Sequence, residues 1–159
     1  MRVIIFVVCF LMAICGASYA ESIKPPALEL GQVAGQPGSM VIVPLLFKKG
    51  TGSPVSAVGM DISCNSELLE ITKAVLVTTA SQSADLKIAT HSPSKGVFRI
   101  ALFGNGKVAI DDGTIAQIYI MISTKAGKGE TELLLTPSGS SPDGKAIAFE
   151  ASTAKVIVE

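Results

Sequence analysis

Residues 55–72 read VSAVGMDISCNSELLEIT, and their alternation of apolar and polar side chains is the strongest structural signal in the chain. On an extended chain, successive side chains point to opposite faces, so a period of two is typical of a half-buried strand. One side of this strand would carry Val58, Met60, Ile62 and Cys64, and the other Ala57, Gly59, Asp61 and Ser63. We therefore predict a strand over residues 55–64 and a buried Cys64.

Similar short apolar segments, separated by Gly, Pro, Asn and Asp, fill the chain from residue 27 onward. Such punctuation marks turns between strands, and no window keeps a helical period beyond one turn. The remaining predicted strands cover residues 27–33, 40–47, 69–77, 86–90, 97–103, 114–123, 131–136, 146–150 and 154–158. The pattern predicts an all-β fold, an antiparallel sandwich of about nine strands.

The first twenty residues have the features of an export signal. Arg2 precedes an apolar run over residues 3–14, and small residues end the segment at Ser18 and Ala20. We predict a signal peptide cleaved after Ala20, a single domain over residues 21–159, and a periplasmic, cell-surface or extracellular location. The apolar run is too short for a comfortable membrane span.

Composition excludes several classes of partner. The 159 residues contain 13 basic and 13 acidic side chains, with no basic run, so we expect no binding to nucleic acid or to anionic membranes. Two of the three cysteines would leave with the signal peptide. Only Cys64 would remain, which allows no internal disulfide.

Catalytic and metal-binding patterns are missing from the sequence. His91 is the sole histidine, and it lies in a polar segment, HSP, that we interpret as a turn. A nucleophile needs an adjacent base and an orienting group, and one turn histidine does not supply them. The DDG run at residues 111–113 and the DG at 143–144 are interpreted as turns rather than calcium loops. We predict a non-enzymatic protein without a cofactor or a metal.

Several segments, in order, resemble the cohesin family over residues 28–158. They are LGQV at residues 30–33, VIVP at 41–44, LLEI at 68–71, GVFRIALF at 96–103 and IDDG at 110–113 with IAQI at 115–118. The resemblance implies a jelly-roll or immunoglobulin-like sandwich that catalyses nothing. It also implies that one flat sheet face, including the strand over residues 55–64, binds a dockerin, a small calcium-loaded helical module. Such a protein would tether a dockerin-type or other exported partner in an assembly linked to polysaccharide degradation.

The sequence departs from the family pattern at two places. Type I cohesins carry Asn and Asp at the positions matched to Ala57 and Gly59, and their YDP is CNS at residues 64–66 here. A type I dockerin would therefore meet a different surface on this chain.

The predicted partner-binding face consists of Asp61, Ser63, Arg99 and Phe103. In the strand over residues 97–103, alternation puts Phe98, Ile100 and Leu102 in the core and turns Arg99 and Phe103 outward. Arg and aromatic side chains are favoured anchors of interfaces. The alternative interpretation is that Phe103 packs under a loop and Arg99 is a solvated edge charge.

Two other functions remain open at the level of sequence. Direct carbohydrate binding would need exposed aromatic rings for stacking, and with no Trp in the chain the candidates are Tyr119 and Phe103. A structural role in a larger exported assembly would fit the charged fraction of only 16%, because such a protein covers part of its surface with a neighbour.

Overall fold

The computed structural model describes residues 23–77 and 85–159, so the predicted signal peptide lies outside the described residues. Eleven strands and no helix occur in these two ranges. The strands are β1 (Ala27–Leu30), β2 (Val33–Gly35), β3 (Met40–Lys48), β4 (Ala57–Cys64), β5 (Leu69–Leu76), β6 (Lys87–Ser94), β7 (Val97–Phe103), β8 (Gly113–Ile122), β9 (Gly129–Ser140), β10 (Ala146–Ile147) and β11 (Ser152–Val158).

The strands form two sheets packed face to face. The smaller sheet has four strands in the order β1-β3-β8-β5, and every neighbouring pair is antiparallel. The larger sheet has the order β2-β11-β9-β4-β7-β6, with β10 beside β9, and only β2 and β11 run parallel. The predicted antiparallel sandwich is confirmed.

The core lies between the sheets and is built from alternate residues of the central strands. The larger sheet contributes Val58, Met60 and Ile62 from β4 and Phe98, Ile100 and Leu102 from β7; the smaller contributes Val43, Leu45, Ile118 and Ile120 from β3 and β8. The predicted inward and outward sides of β4 and β7 are thus confirmed. Cys64, at the end of β4, is half-buried rather than fully buried.

One predicted strand proves to be two strands in different sheets. Residues 27–33 were predicted as continuous, but β1 pairs with β3 in the smaller sheet and β2 with β11 in the larger. The crossing is at Gly31, whose amide donates to the Pro44 carbonyl at 2.9 Å. A Cβ at Gly31 would lie 2.6 Å from Pro44 Cγ, so the close approach requires glycine.

The prediction that His91 lies in a turn was wrong. Strand β6 continues to Ser94, and His91 is an exposed strand residue in register with Arg99. Pro93 falls where the register shifts between His91 and Ser94, on the edge strand of the sheet, where a missing amide breaks no ladder. The turn follows at Gly96, which has a φ of 79°.

Strand β9 is longer than predicted, and the strand predicted over residues 146–150 is shorter. The predicted strand ends at residue 136, but β9 continues through the Pro-Ser-Gly-Ser sequence at 137–140, in register with β4 up to Ser140. At Gly139 a Cβ would lie 2.5 Å from the Phe149 ring, so the glycine makes room for this aromatic side chain. Strand β10 covers only Ala146–Ile147.

Candidate partner-binding face

The outer surface of β6, β7, β4 and β9 contains all four predicted site residues, and we call it the docking face. Its middle row runs across the strands through Ala89, Ala101, Gly59 and Ser138. No side chain in this row is larger than serine. The row therefore forms a shallow strip where another backbone can approach the sheet closely.

Asp61 and Arg99 are direct cross-strand partners beside that row. Arg99 Nε donates to Asp61 Oδ1 and Arg99 Nη2 to Asp61 Oδ2, both at 2.7 Å. The Arg99 hydrogen bonds hold the pKa of the Asp61 carboxyl below its usual range, and the same bonds raise the pKa of Arg99. A partner would therefore meet an ion pair in which the two charges offset each other. Both carboxylate oxygens of Asp61 already accept hydrogen bonds from Arg99.

Phe103 and Ser63 lie at opposite ends of the docking face. Phe103, in register with Ala57, is 43% exposed on the outer surface of β7, so it does not pack under a loop. Ser63 is half-buried between Val97 of β7 and Leu134 of β9. The four predicted residues thus share one surface, with the ion pair between its two ends.

Sequence reasoning missed Leu134, which is 45% exposed on the same face. The signal was present, because Leu133 and Leu135 are core residues and strict alternation turns the residue between them outward. Ala57 and Ser63 are six residues apart on β4, so the rows of Phe103 and Leu134 are separated by about 20 Å. Phe103 therefore lies next to the small-residue row on one side, and Leu134 lies on the other side, beyond the Asp61–Arg99 pair.

Tyr119 lies on the other surface of the sandwich, in β8 of the smaller sheet. The structure does not bring it together with the docking face. Lys73 Nζ stands 4.4 Å from the Tyr119 ring centroid, a cation–π contact. One face of the ring is therefore already occupied, which leaves less of it for stacking on a sugar.

A cleft of about 350 Å³ opens at one edge of the sandwich, between β5 and the β6–β7 turn. Its wall includes Cys64, whose thiol donates to the Leu69 carbonyl at 3.6 Å. Burial raises the pKa of the Cys64 thiol, so the thiol stays protonated at neutral pH and is a poor nucleophile.

No cluster of three or more His, Cys, Asp or Glu side chains suited to a metal ion occurs in residues 23–77 and 85–159. Within the same ranges, no helix has the length and apolar character that crossing a bilayer requires.

The fold and the docking face define a class of protein, a β-sandwich module with one open, shallow sheet surface. The Cohesin domain family model matches residues 26–158, and the chain belongs to that family. Cohesins are non-catalytic modules that bind other proteins. None of the curated proteins compared with the chain matches it significantly.

Solved cohesins share the fold at low sequence identity. The solution structure of CaCohA2 from Clostridium acetobutylicum is 21% identical with a TM-score of 0.67, over 86% of this chain and 92% of that one. The sixth cohesin of Acetivibrio cellulolyticus scaffoldin B, in complex with a mutant Cel5 dockerin, is 18% identical with a TM-score of 0.70, over 86% and 100%. A non-cellulosomal cohesin from the archaeon Archaeoglobus fulgidus is 13% identical with a TM-score of 0.63, over 84% and 91%.

Proposed function

We propose that this protein is an exported, non-catalytic cohesin that holds a dockerin-type partner on its docking face. The observation that carries the proposal is the row of small residues at Ala89, Ala101, Gly59 and Ser138, flanked by Phe103 and Leu134. Membership of the cohesin family supports it, as does the dockerin bound to the similar scaffoldin B cohesin. The assembly that it serves would be one that degrades polysaccharide outside the cytoplasm.

A helical partner fits this surface better than an extended peptide. The four predicted residues lie on β4 and β7, which already pair with a strand on each side, so an added strand could pair only at the β6 edge, away from them. A helix that runs along the strands would cross the shallow row and contact Phe103 near one end and Leu134 near the other. The separation of about 20 Å corresponds to nearly four helical turns.

Recognition would rest mainly on apolar contact and shape. The positions matched to polar residues of type I cohesins are Ala57 and Gly59, and the Asp61–Arg99 pair satisfies its own charges. Phe103 and Leu134 are then the side chains with the most apolar area to bury. The partner should present small or apolar side chains where it crosses the row, with polar groups near Asp61 and Ser63.

The test is capture of partners by the tagged protein from the exported fraction of the producing organism, once with calcium and once with chelator. We expect a dockerin-type protein that is captured only with calcium, because the metal belongs to the partner's fold. Retention on insoluble polysaccharide without any protein partner would instead support direct carbohydrate binding. Absence of a protein partner in both conditions would contradict the proposal.

The location of the face is tested with Asp61→Lys. This change places a second cation beside Arg99 in the middle of the interface, and we expect affinity for the captured dockerin to fall at least about 100-fold. The matched control is Glu29→Lys, which sets a cation against Lys48 in the same way on the smaller sheet, where Glu29 and Lys48 form an ion pair at 2.7 Å. Unchanged affinity of Asp61→Lys would reject the proposed face.

A further inference from the structure

The outer surface of the smaller sheet carries a contiguous set of large apolar side chains, which we call the apolar face. Its most exposed members are Met40, Ile42 and Val75, at 47%, 45% and 43% exposure. Tyr119 and Met121 of β8, both half-buried, join them, because Ile42 is in register with Tyr119 and Met40 with Met121. Contiguous exposed patches of this kind mark interaction sites.

Two rows across β3, β8 and β5 organise the apolar face. The first row is Met40, Met121 and Glu70; the second is Ile42, Tyr119 and Lys73. Each row thus has two apolar residues followed by one charged residue at the β5 edge. The charge is negative in the first row and positive in the second.

A β-bulge in β5 places the charged side chain of Lys73 in the second row. The register of β5 shifts between Ile71 and Lys73, and the Thr72 hydroxyl donates to the Tyr119 carbonyl at 3.1 Å. Strict alternation from the buried Leu69 would have turned Lys73 toward the core. The extra residue restores Lys73 to the outer surface, above the Tyr119 ring.

Neither of these charged residues has an ion-pair partner among the described residues. Some acids in the same ranges have ion-pair partners, as with Glu29 and Lys48 or Glu130 and Lys155, whereas others, such as Glu67, do not. Glu70 and Lys73 are three positions apart on one strand, each at the end of an apolar row. They are therefore available for charges on another molecule.

We propose that the apolar face binds the apolar face of a second copy of this chain. A two-fold axis that crosses the strands between the two rows places each first row on the second row of the other copy. Met40 then meets Ile42, Met121 meets Tyr119 and Glu70 meets Lys73, and symmetry repeats each contact. Apolar residues of one copy thus meet apolar residues of the other, and each acid meets a base. An isologous interface requires this kind of self-complementary surface.

The geometry is that of ordinary sheet-on-sheet packing, with the two sheets about 10 Å apart and their strands within about 30° of alignment. The docking faces would then point away from each other on the two outer surfaces of the dimer. The dimer would hold two partners at once, so a partner with two dockerin-type modules would gain avidity. The interface stands independently of the proposed function, because it uses the opposite sheet.

Sedimentation velocity of the purified protein from about 10 µM to 1 mM tests the proposal, with a concentration-dependent dimer as the expected result. Lys73→Glu opposes two acids at both symmetric contacts, and we expect the dimer Kd to rise at least about tenfold. The double variant Glu70→Lys with Lys73→Glu restores opposite charges and should return the Kd to within about threefold of the original. Lys87→Glu, the same charge change on the docking face, should leave the Kd unaltered.

The apolar contribution is tested by Ile42→Asp, which should leave only monomer because it buries an unpaired carboxylate against Met40. Ile42 is 45% exposed, so the variant should stay folded with its thermal midpoint lowered by only a few degrees, and circular dichroism checks this. A protein that stays monomeric at every concentration would overturn the proposal. So would a dimer that tolerates Lys73→Glu, or one that the double variant fails to restore.

Discussion

The two outer surfaces of this sandwich have the same strand geometry but differ in the size and charge of their side chains. The docking face has a central row of small residues, a closed Asp61–Arg99 ion pair, and apolar side chains only at its ends. The apolar face has large side chains in its centre, and at one edge it has Glu70 and Lys73, which form no ion pair within residues 23–77 and 85–159. We propose that the first receives a convex partner and that the second packs on the same face of another copy.

The difference shows that the exposure of a side chain does not by itself tell which kind of partner a surface would bind. Phe103 on one face and Ile42 on the other are almost equally exposed, at 43% and 45%. The two residues differ in the side chains that surround them. Phe103 lies beside the shallow row of small residues, whereas Ile42 has apolar neighbours along and across its strand. Substitutions on each face test this contrast.

The largest expected effect comes from filling the shallow row. In Gly59→Leu the new Cβ would lie 3.1 Å from the Ser138 hydroxyl, which can rotate away, so the strand should tolerate the change. The leucine would hold a helical partner off the sheet, and we expect at least about a 100-fold loss of dockerin affinity by isothermal titration calorimetry.

Gln117→Leu is the matched control, because it places a leucine on the outer side of the central strand β8 of the other sheet. It should leave dockerin affinity unchanged. Equal affinity losses in both variants, or none in Gly59→Leu, would show that the small-residue row does not distinguish the two faces.

A smaller effect is expected from truncating the apolar side chains at the ends of the docking face. Phe103→Ala and Leu134→Ala should each weaken dockerin binding about tenfold, because each loses a buried anchor. The two sites are about 20 Å apart, so the losses of binding free energy should add in the double variant. Ile42→Ala, on the apolar face, should not alter dockerin affinity. Strong non-additivity would mean that the two side chains do not contact the partner independently.

The period of two predicted the parts of the fold in which each strand keeps one side in the core. It placed Asp61 and Arg99 outward, and the structure agrees, because burial of Ile62 and Ile100 leaves no other orientation. The alternation of apolar and polar residues failed to predict the fold where contacts between distant segments decide the path of the chain. Gly31 and Pro44 allow the chain to change sheets, and β4 pairs with a Pro-Ser-Gly-Ser segment that lies beyond the end of the predicted strand.

The candidate sites were harder to predict because they depend on pairing between strands. Nothing in the sequence aligns Asp61 with Arg99 or Leu134 with Ser63, since these registers are set by the whole sheet. The bulge at Thr72 is equally hidden, and without it Lys73 would be assigned to the core side. Alternation therefore predicts which side a residue occupies, but only until the first bulge.

The smallest effect concerns the ion pair of the docking face. In Asp61→Asn the unfolding free energy at neutral pH should fall by less than about 1 kcal/mol, since both side chains are partly solvated. Arg99 lowers the pKa of Asp61 in the folded state, so the stabilisation is present above the unfolded pKa and is lost as the pH falls through the folded one. Denaturant unfolding should show the two proteins converging as the pH falls below the folded pKa of Asp61. Glu29→Gln, which removes the Lys48 pair of the other sheet, should cost less because that pair lacks a two-point fork. A deficit of Asp61→Asn that persists unchanged in acid would mean that packing, and not the ion pair, is what the substitution disturbs.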